Sequence, residues 1–289
     1  MDRPILEREA LEQTLVLQYG PVRRSVDDAI YDSGNLIVSR EAFVMTPRDG
    51  LAIRYDRGSG LTCERDGAVA KVDAELWAHG FARGLVAWLN GYAVLHASAV
   101  IQGTRAIGFA GRSGAGKSTL ASALARRGRT MIEDDGLILE PTPEGYLALP
   151  GHGTAKLWDS SRRLLGVGGG TPLAHQPGKF ALNLGSEGAA AMALHDIAVL
   201  RDVDAPETGI SQVVGADKLV LLGPVLFREY LLPHILGPAR TAETLFRLAK
   251  RLRVWAIDRP RDPDRFADYV GTVDEWARHL PDCYPPTRP

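Results

Sequence analysis

Eight consecutive residues, Gly111, Arg112, Ser113, Gly114, Ala115, Gly116, Lys117 and Ser118, fit the spacing G-x-x-x-x-G-K-[ST], and Thr119 follows as a second hydroxyl. Glycines at such positions let successive backbone N–H groups turn inward, and a helix starting at the lysine adds the positive end of its dipole. A mobile cation from Lys117 and a hydroxyl from Ser118 complete a set suited to polyphosphate oxygens and a Mg²⁺ ion. Asp134 and Asp135 follow 17 and 18 residues after Lys117 in MIEDDGLIL. Two adjacent carboxylates can divide the work, one holding the metal while the other takes a proton from an attacking hydroxyl. His96 lies 21 residues before Lys117, in YAVLHASAV, and on a strand it shares a face with Tyr92, Val94 and Ser98.

These residues need elements to hold them. AIGFA is a short apolar run fit for a buried strand, and STLASALARR has helical spacing and ends at Gly128. The order is therefore strand, glycine-rich turn, helix. YAVLHASAVI and AIGFAG flank QGT, which predicts a hairpin carrying His96 towards the turn. After about three helical turns the chain has enough length to return as the neighbouring strand, with the Asp pair at its carboxyl end. DAELWAHGFARGLVAWLN predicts a packing helix with Trp77, Phe81, Leu85 and Trp88 on its apolar stripe. GVGGGTPLAHQPGK, from 166 to 179, reads as a mobile loop, and RVWAIDRPRDPDRFADYVGTVDEWARHL as a strand, a Pro-rich turn and a closing helix.

Ahead of these elements QTLVLQYG, NLIVSREAFVMT and LAIRYDR are short β-rich runs parted by turn residues. They predict a small β-rich N-terminal lobe over 1–72, followed by a nucleotide-binding domain over 73–289. A balance of 34 basic and 35 acidic residues gives no bulk electrostatic reason to bind nucleic acid or an anionic membrane. No apolar run reaches the roughly 18 residues that span a bilayer. Cys63 and Cys283 have no metal-type spacing, and a cytoplasmic setting is expected. The three asparagines, Asn35, Asn90 and Asn183, are not followed by lysine, so the N-K-x-D element of a GTPase is missing, as is an LSGGQ-like signature. A compact phosphotransferase remains.

The segment from about 92 to 140 resembles the catalytic domain of HPr kinase/phosphorylase and the shorter HPr-kinase-like proteins of bacteria. The likeness rests on His96, the loop from Gly111 to Ser118, the RRG that ends the following helix, and the pair Asp134 and Asp135. It implies an α/β P-loop domain of HPr-kinase type and transfer of the γ-phosphate of ATP to a serine hydroxyl of a small protein. By position it makes Asp135 the proton acceptor, His96 its electrostatic partner, Lys117 the phosphate lysine and Ser118 a Mg²⁺ ligand. Thr119 stands where HPr kinases carry an acid, and their downstream GLG signature is absent. LPGHGTAKLWDSSRRLLG instead is similar to a segment of the short relatives, some encoded beside ribosomally made peptides such as lasso peptides, which phosphorylate a serine at the end of a precursor.

A peptide or small-protein acceptor is thus expected, with Lys156 and Lys179 as candidates for holding a phosphate or a peptide carboxylate. A small-molecule kinase on the same fold and an ATP-sensing module are the alternatives. The Asp pair favours catalysis, because a sensor needs no proton acceptor. Nothing in the sequence speaks against a homo-oligomer.

Overall fold

The computed structural model describes residues 5–173, 176–184 and 189–281 of the 289-residue chain. Cys283 lies outside them, and Cys63 is free and buried. It is a mixed α/β structure divided into two compact units, one holding the residues up to Val94 together with Arg228–Ala242, the other Leu95–Phe227 and the chain from Glu243 onward.

The first unit opens with α1 (Arg8–Thr14) and builds one sheet from β1 (Leu17–Tyr19), β2 (Tyr31–Asp32), β3 (Leu36–Val38), β4 (Ala42–Arg48), β5 (Leu51–Asp56) and β6 (Gly60–Arg65). The strand order is β1-β6-β5-β4-β3-β2. All pairings are antiparallel except β1 with β6. Phe43, Tyr55, Leu51, Ile53 and Leu61 are buried in it, as expected where β-branched and aromatic residues alternate between turns. The helical stripe expected after residue 73 forms as α2 (Lys71–Trp77) and α3 (Arg83–Leu89), joined through a π-helical turn at Ala78–Ala82. These helices fall in the same compact unit as the β-rich sheet, and the first stretch of that unit extends to Val94.

In the second unit β7 (Ala93–Gln102) and β8 (Arg105–Gly111) form the expected antiparallel hairpin. The glycine-rich turn leads into α4 (Lys117–Arg126), and β9 (Met131–Pro141) and β10 (Tyr146–Ala148) follow. Next come β11 (Thr154–Trp158), α5 (Asp159–Leu165), β12 (Thr171–Pro172), β13 (Lys179–Asn183), β14 (Met192–Asp204), β15 (Gly209–Val213) and α6 (Asp217–Leu222). The chain returns to the first unit through α7 (Leu232–Ile235) and the start of α8 (Pro238–Arg251), then closes with β16 (Arg253–Arg259) and α9 (Phe266–His279).

The main sheet has the order β10-β9-β7-β8-β14-β16-β15. Its centre, β8, β14 and β16, is parallel. The strand after α4 therefore does not lie beside β8, as its length allowed; β9 neighbours β7, and β14 takes the place next to β8. Because β7 runs antiparallel to β8, this arrangement sets His96 and the Asp pair on adjacent strands. Leu120, Leu124, Phe109, Val270 and Val273 pack in the core under α4 and α9. A separate sheet, β11-β13-β12, holds the segment expected as a loop in part as strand, since Thr171 and Pro172 pair with Ala181 and Phe180. Residues 174 and 175 of that segment lie outside the described residues.

Candidate functional site

The turn after β8 is forced by backbone. Gly111 has φ +144, and a Cβ there would sit 2.8 Å from the Leu200 carbonyl oxygen, so no other residue fits without displacing β14. Gly116 precedes α4 in a left-handed conformation, φ +96, which turns the chain into the helix. Ala115 N donates to Arg112 O (3.0 Å), closing the turn. Lys117 is only 7% exposed, so it is not the solvent-facing side chain that its motif suggests. Its Nζ donates back to the carbonyls of Gly111 (3.0 Å) and Arg112 (3.3 Å). Burial lowers the Lys117 ammonium below its usual range, while Asp134 and Asp135 work against that shift.

One strand, β9, supplies both carboxylates, and β7 and β11 supply their partners. Ser98 Oγ donates to Asp134 Oδ1 (2.6 Å), and Lys156 N donates to Asp134 Oδ2 (2.8 Å). Two residues along the same face of β7, His96 Nδ1 lies 3.0 Å from Asp135 Oδ1. Lys156 Nζ donates to Asp135 Oδ2 at 3.1 Å. Asp135 occupies φ +113 within β9, a conformation that costs a non-glycine residue about 1–3 kcal/mol and persists only where its surroundings hold it. Burial would raise the Asp135 carboxyl, but the Lys156 charge and the His96 contact outweigh it and hold the group well below the usual carboxylate range. Lys156 is raised in turn: its own burial would lower it, and Asp135 more than reverses this.

Lys156 and Lys179 come from β11 and β13, where Trp158 pairs with Lys179. Lys179 Nζ stands 5.5 Å from the centroid of the Trp158 ring, and its burial lowers its ammonium. Thr119 Oγ1 donates to Ser161 Oγ (2.8 Å), tying the first turn of α4 to α5.

One cavity of about 380 Å³ gathers these groups. His96, Ser113, Gly114, Gly116, Lys117, Ser118, Thr119, Asp134, Asp135, Lys156 and Lys179 all line it. Gly111, Arg112 and Ala115 shape the turn without lining the cavity. The lining also includes residues that no motif marked, among them Trp158, Arg259, Phe266 and Tyr269. Ser98 was legible only as a same-face neighbour of His96. The arrangement puts a buried lysine, Lys117, and a half-buried one, Lys156, near two carboxylates, one of them oriented from both sides. Such a site can bind an anion and hold an ionised carboxylate beside it.

Ser118, at the second position of α4, and Asp134 bring hard oxygen donors to this cavity. Among the described residues no three His, Cys, Asp or Glu side chains group as a metal site. That donor set fits Mg²⁺, which keeps waters and phosphate oxygens and takes only one or two protein ligands.

No family model matches the chain, and no curated protein does. Among solved structures it is similar to the HPr(Ser) kinase/phosphatase from Coxiella burnetii, at 16% identity over 64% of this chain and 88% of that one, with a TM-score of 0.31. Among the described residues no helix is long and apolar enough to cross a membrane.

Proposed function

We propose that the chain is an ATP- and Mg²⁺-dependent kinase, HPr-kinase-like, that moves the γ-phosphate to a serine hydroxyl of a peptide or small protein. A ribosomally made precursor of lasso type is the acceptor class to which the sequence resemblance points. The observation that carries the reading is Asp135, a carboxylate clamped by His96 and Lys156 on strained backbone, in the same cavity as Lys117.

The turn from Gly111 to Thr119 would cradle the β- and γ-phosphates with its N–H groups, and Lys117 would exchange its loop carbonyls for phosphate oxygens. Ser118 and Asp134 would hold Mg²⁺, which would neutralise charge on the phosphate oxygens. Asp135 orients the acceptor hydroxyl in line with the γ-phosphorus. The serine oxygen forms the new P–O bond as the bond to the β–γ bridging oxygen breaks, ADP departs, and the hydroxyl proton passes to Asp135. A strongly acidic carboxylate is a weak base, but the loose transition state of phosphoryl transfer needs orientation early and proton removal late. His96 and Lys156 fix that orientation. With Lys156 committed to Asp135, Lys179 would meet the acceptor.

The test is γ-phosphate transfer from labelled ATP to serine peptides and, in parallel, to free sugars, polyols and amino acids. Lys117→Ala should abolish transfer and weaken ATP binding. Asp135→Asn should lower turnover by about 10²–10⁴-fold with ATP affinity little changed. A folded Lys117→Ala protein with undiminished transfer overturns the assignment; efficient phosphorylation of a metabolite alone favours the small-molecule kinase.

A further inference from the structure

The glycine-rich turn accounts for one part of the cavity wall, and another part is built differently. Leu200 of β14 pairs with Gly111 on one side and Ile257 on the other, so β8 and β16 reach the same level at their carboxyl ends. Arg259 closes β16 two residues later, and the chain turns through Pro263 into α9, which brings Phe266 and Tyr269 to the cavity wall. A Cβ on Gly116 would stand 3.6 Å from the Arg259 guanidinium, so this side chain borders the phosphate turn. Beside the phosphate turn the cavity wall thus carries a flat cation, a proline and two rings. Carboxyl ends of parallel strands are where open α/β sheets take their ligands.

Tyr269 provides a second, independent sign. It is 3% exposed, and its phenol oxygen has no hydrogen-bond partner among the described residues. A buried hydroxyl without a partner is costly, and such groups in native proteins call for an explanation. Burial pushes the phenol up, so it remains a donor across the working pH range.

We infer that Arg259, Phe266 and Tyr269 form the nucleoside subsite of this cavity, Phe266 and the Arg259 plane flanking the purine ring and the Tyr269 hydroxyl donating to a nitrogen or oxygen of the adenosine. Aromatic faces and guanidinium planes stack on bases, and the ring supplies the acceptor that Tyr269 lacks. The inference rests on the kinase reading above and adds what selects the nucleoside.

Calorimetric titration of the full chain with Mg-ATP and with Mg-tripolyphosphate separates the two. ATP should bind about tenfold or more tightly than tripolyphosphate, the scale of one base stack. Phe266→Ala should erase most of that advantage and Tyr269→Phe, which keeps the ring and its packing, should reduce it several-fold, both leaving tripolyphosphate affinity unchanged. Equal affinity of the wild-type chain for the two ligands, or an ATP advantage untouched in Tyr269→Phe and Phe266→Ala, overturns the subsite. If tripolyphosphate binds and Lys117→Ala abolishes that binding, the phosphate site stands even when the subsite falls. If neither ligand binds the wild-type chain, both fall together.

Discussion

At the scale of single residues, Asp135 shows how neighbours decide a carboxylate's charge. Its exposure of 25% leaves it open to an entering ligand, while Lys156 and His96 stabilise its anion. The folded value lies below the unfolded one, so this group contributes stability above the unfolded carboxylate value of about 3.9 and loses it only as pH falls through the depressed folded value. No acid limb from Asp135 is therefore expected in the wild-type rate profile between about pH 5 and 8. Lys156→Met removes the largest of the influences that hold the carboxyl down and lets burial act. The carboxyl should then titrate upward, and an acid limb should enter the kcat/KM profile above about pH 4. Profiles of the two proteins over pH 4–9 check this; superimposable shapes would mean that Lys156 does not govern Asp135.

At the scale of elements, the parallel strands carry the site at one end and their strongest polar anchor at the other. Near the amino ends of β14 and β16, Arg253 donates to both oxygens of Asp196, at 2.7 and 2.6 Å, and Trp255 Nε1 adds a third bond at 2.8 Å. Asp196 is fully buried. Removing one partner of such a pair strands a charge, so Arg253→Met should lose about 3–5 kcal/mol of stability in denaturant unfolding. In the fraction that remains folded, ATP affinity should stay within about twofold, because the anchor is remote from the carboxyl ends. A loss under 1 kcal/mol would show that the pair is not what joins these strands.

The same division explains what the sequence made legible. The order of β8, glycine turn and α4, and the hairpin carrying His96, follow from local turn and helix chemistry, so they could be read directly. The place of β9 could not: its length permits a seat beside β8, and only the competing pairing of β14 with β8 moves it next to β7. Arg259 and Tyr269 carry no motif and meet the turn only through the closing of the sheet. The partner of Lys156 was equally hidden, since a lysine on an alternating strand reads as a solvated surface group until β11 is set against β9.

At the scale of the whole molecule, every residue lining the cavity comes from the second unit, which is assembled from two stretches of chain. A cut at residue 73 would leave α2, α3 and 228–242 without the sheet they belong to, so the acceptor is better studied with the full chain. The chain's charge of -1 gives little long-range steering, and recognition must come from local contacts. Trp158, 46% exposed, and Leu164 stand at the rim, with Lys179 beside the Trp158 ring and lining the cavity. A peptide ending just after its serine would bring a terminal carboxylate to this lysine, and a charge-assisted hydrogen bond there is worth about 1.5–3 kcal/mol. Such a peptide should gain one phosphate, and amidating its C-terminus should raise KM about tenfold with kcat nearly unchanged. Lys179→Ala should raise KM for the free acid by a similar factor and leave the amide as it was, because the lysine then has no partner to lose. Steady-state kinetics on the four combinations decide it: equal KM for acid and amide in the wild-type chain would remove Lys179 from acceptor recognition, while a Lys179→Ala effect on both peptides would place its charge on the phosphate instead.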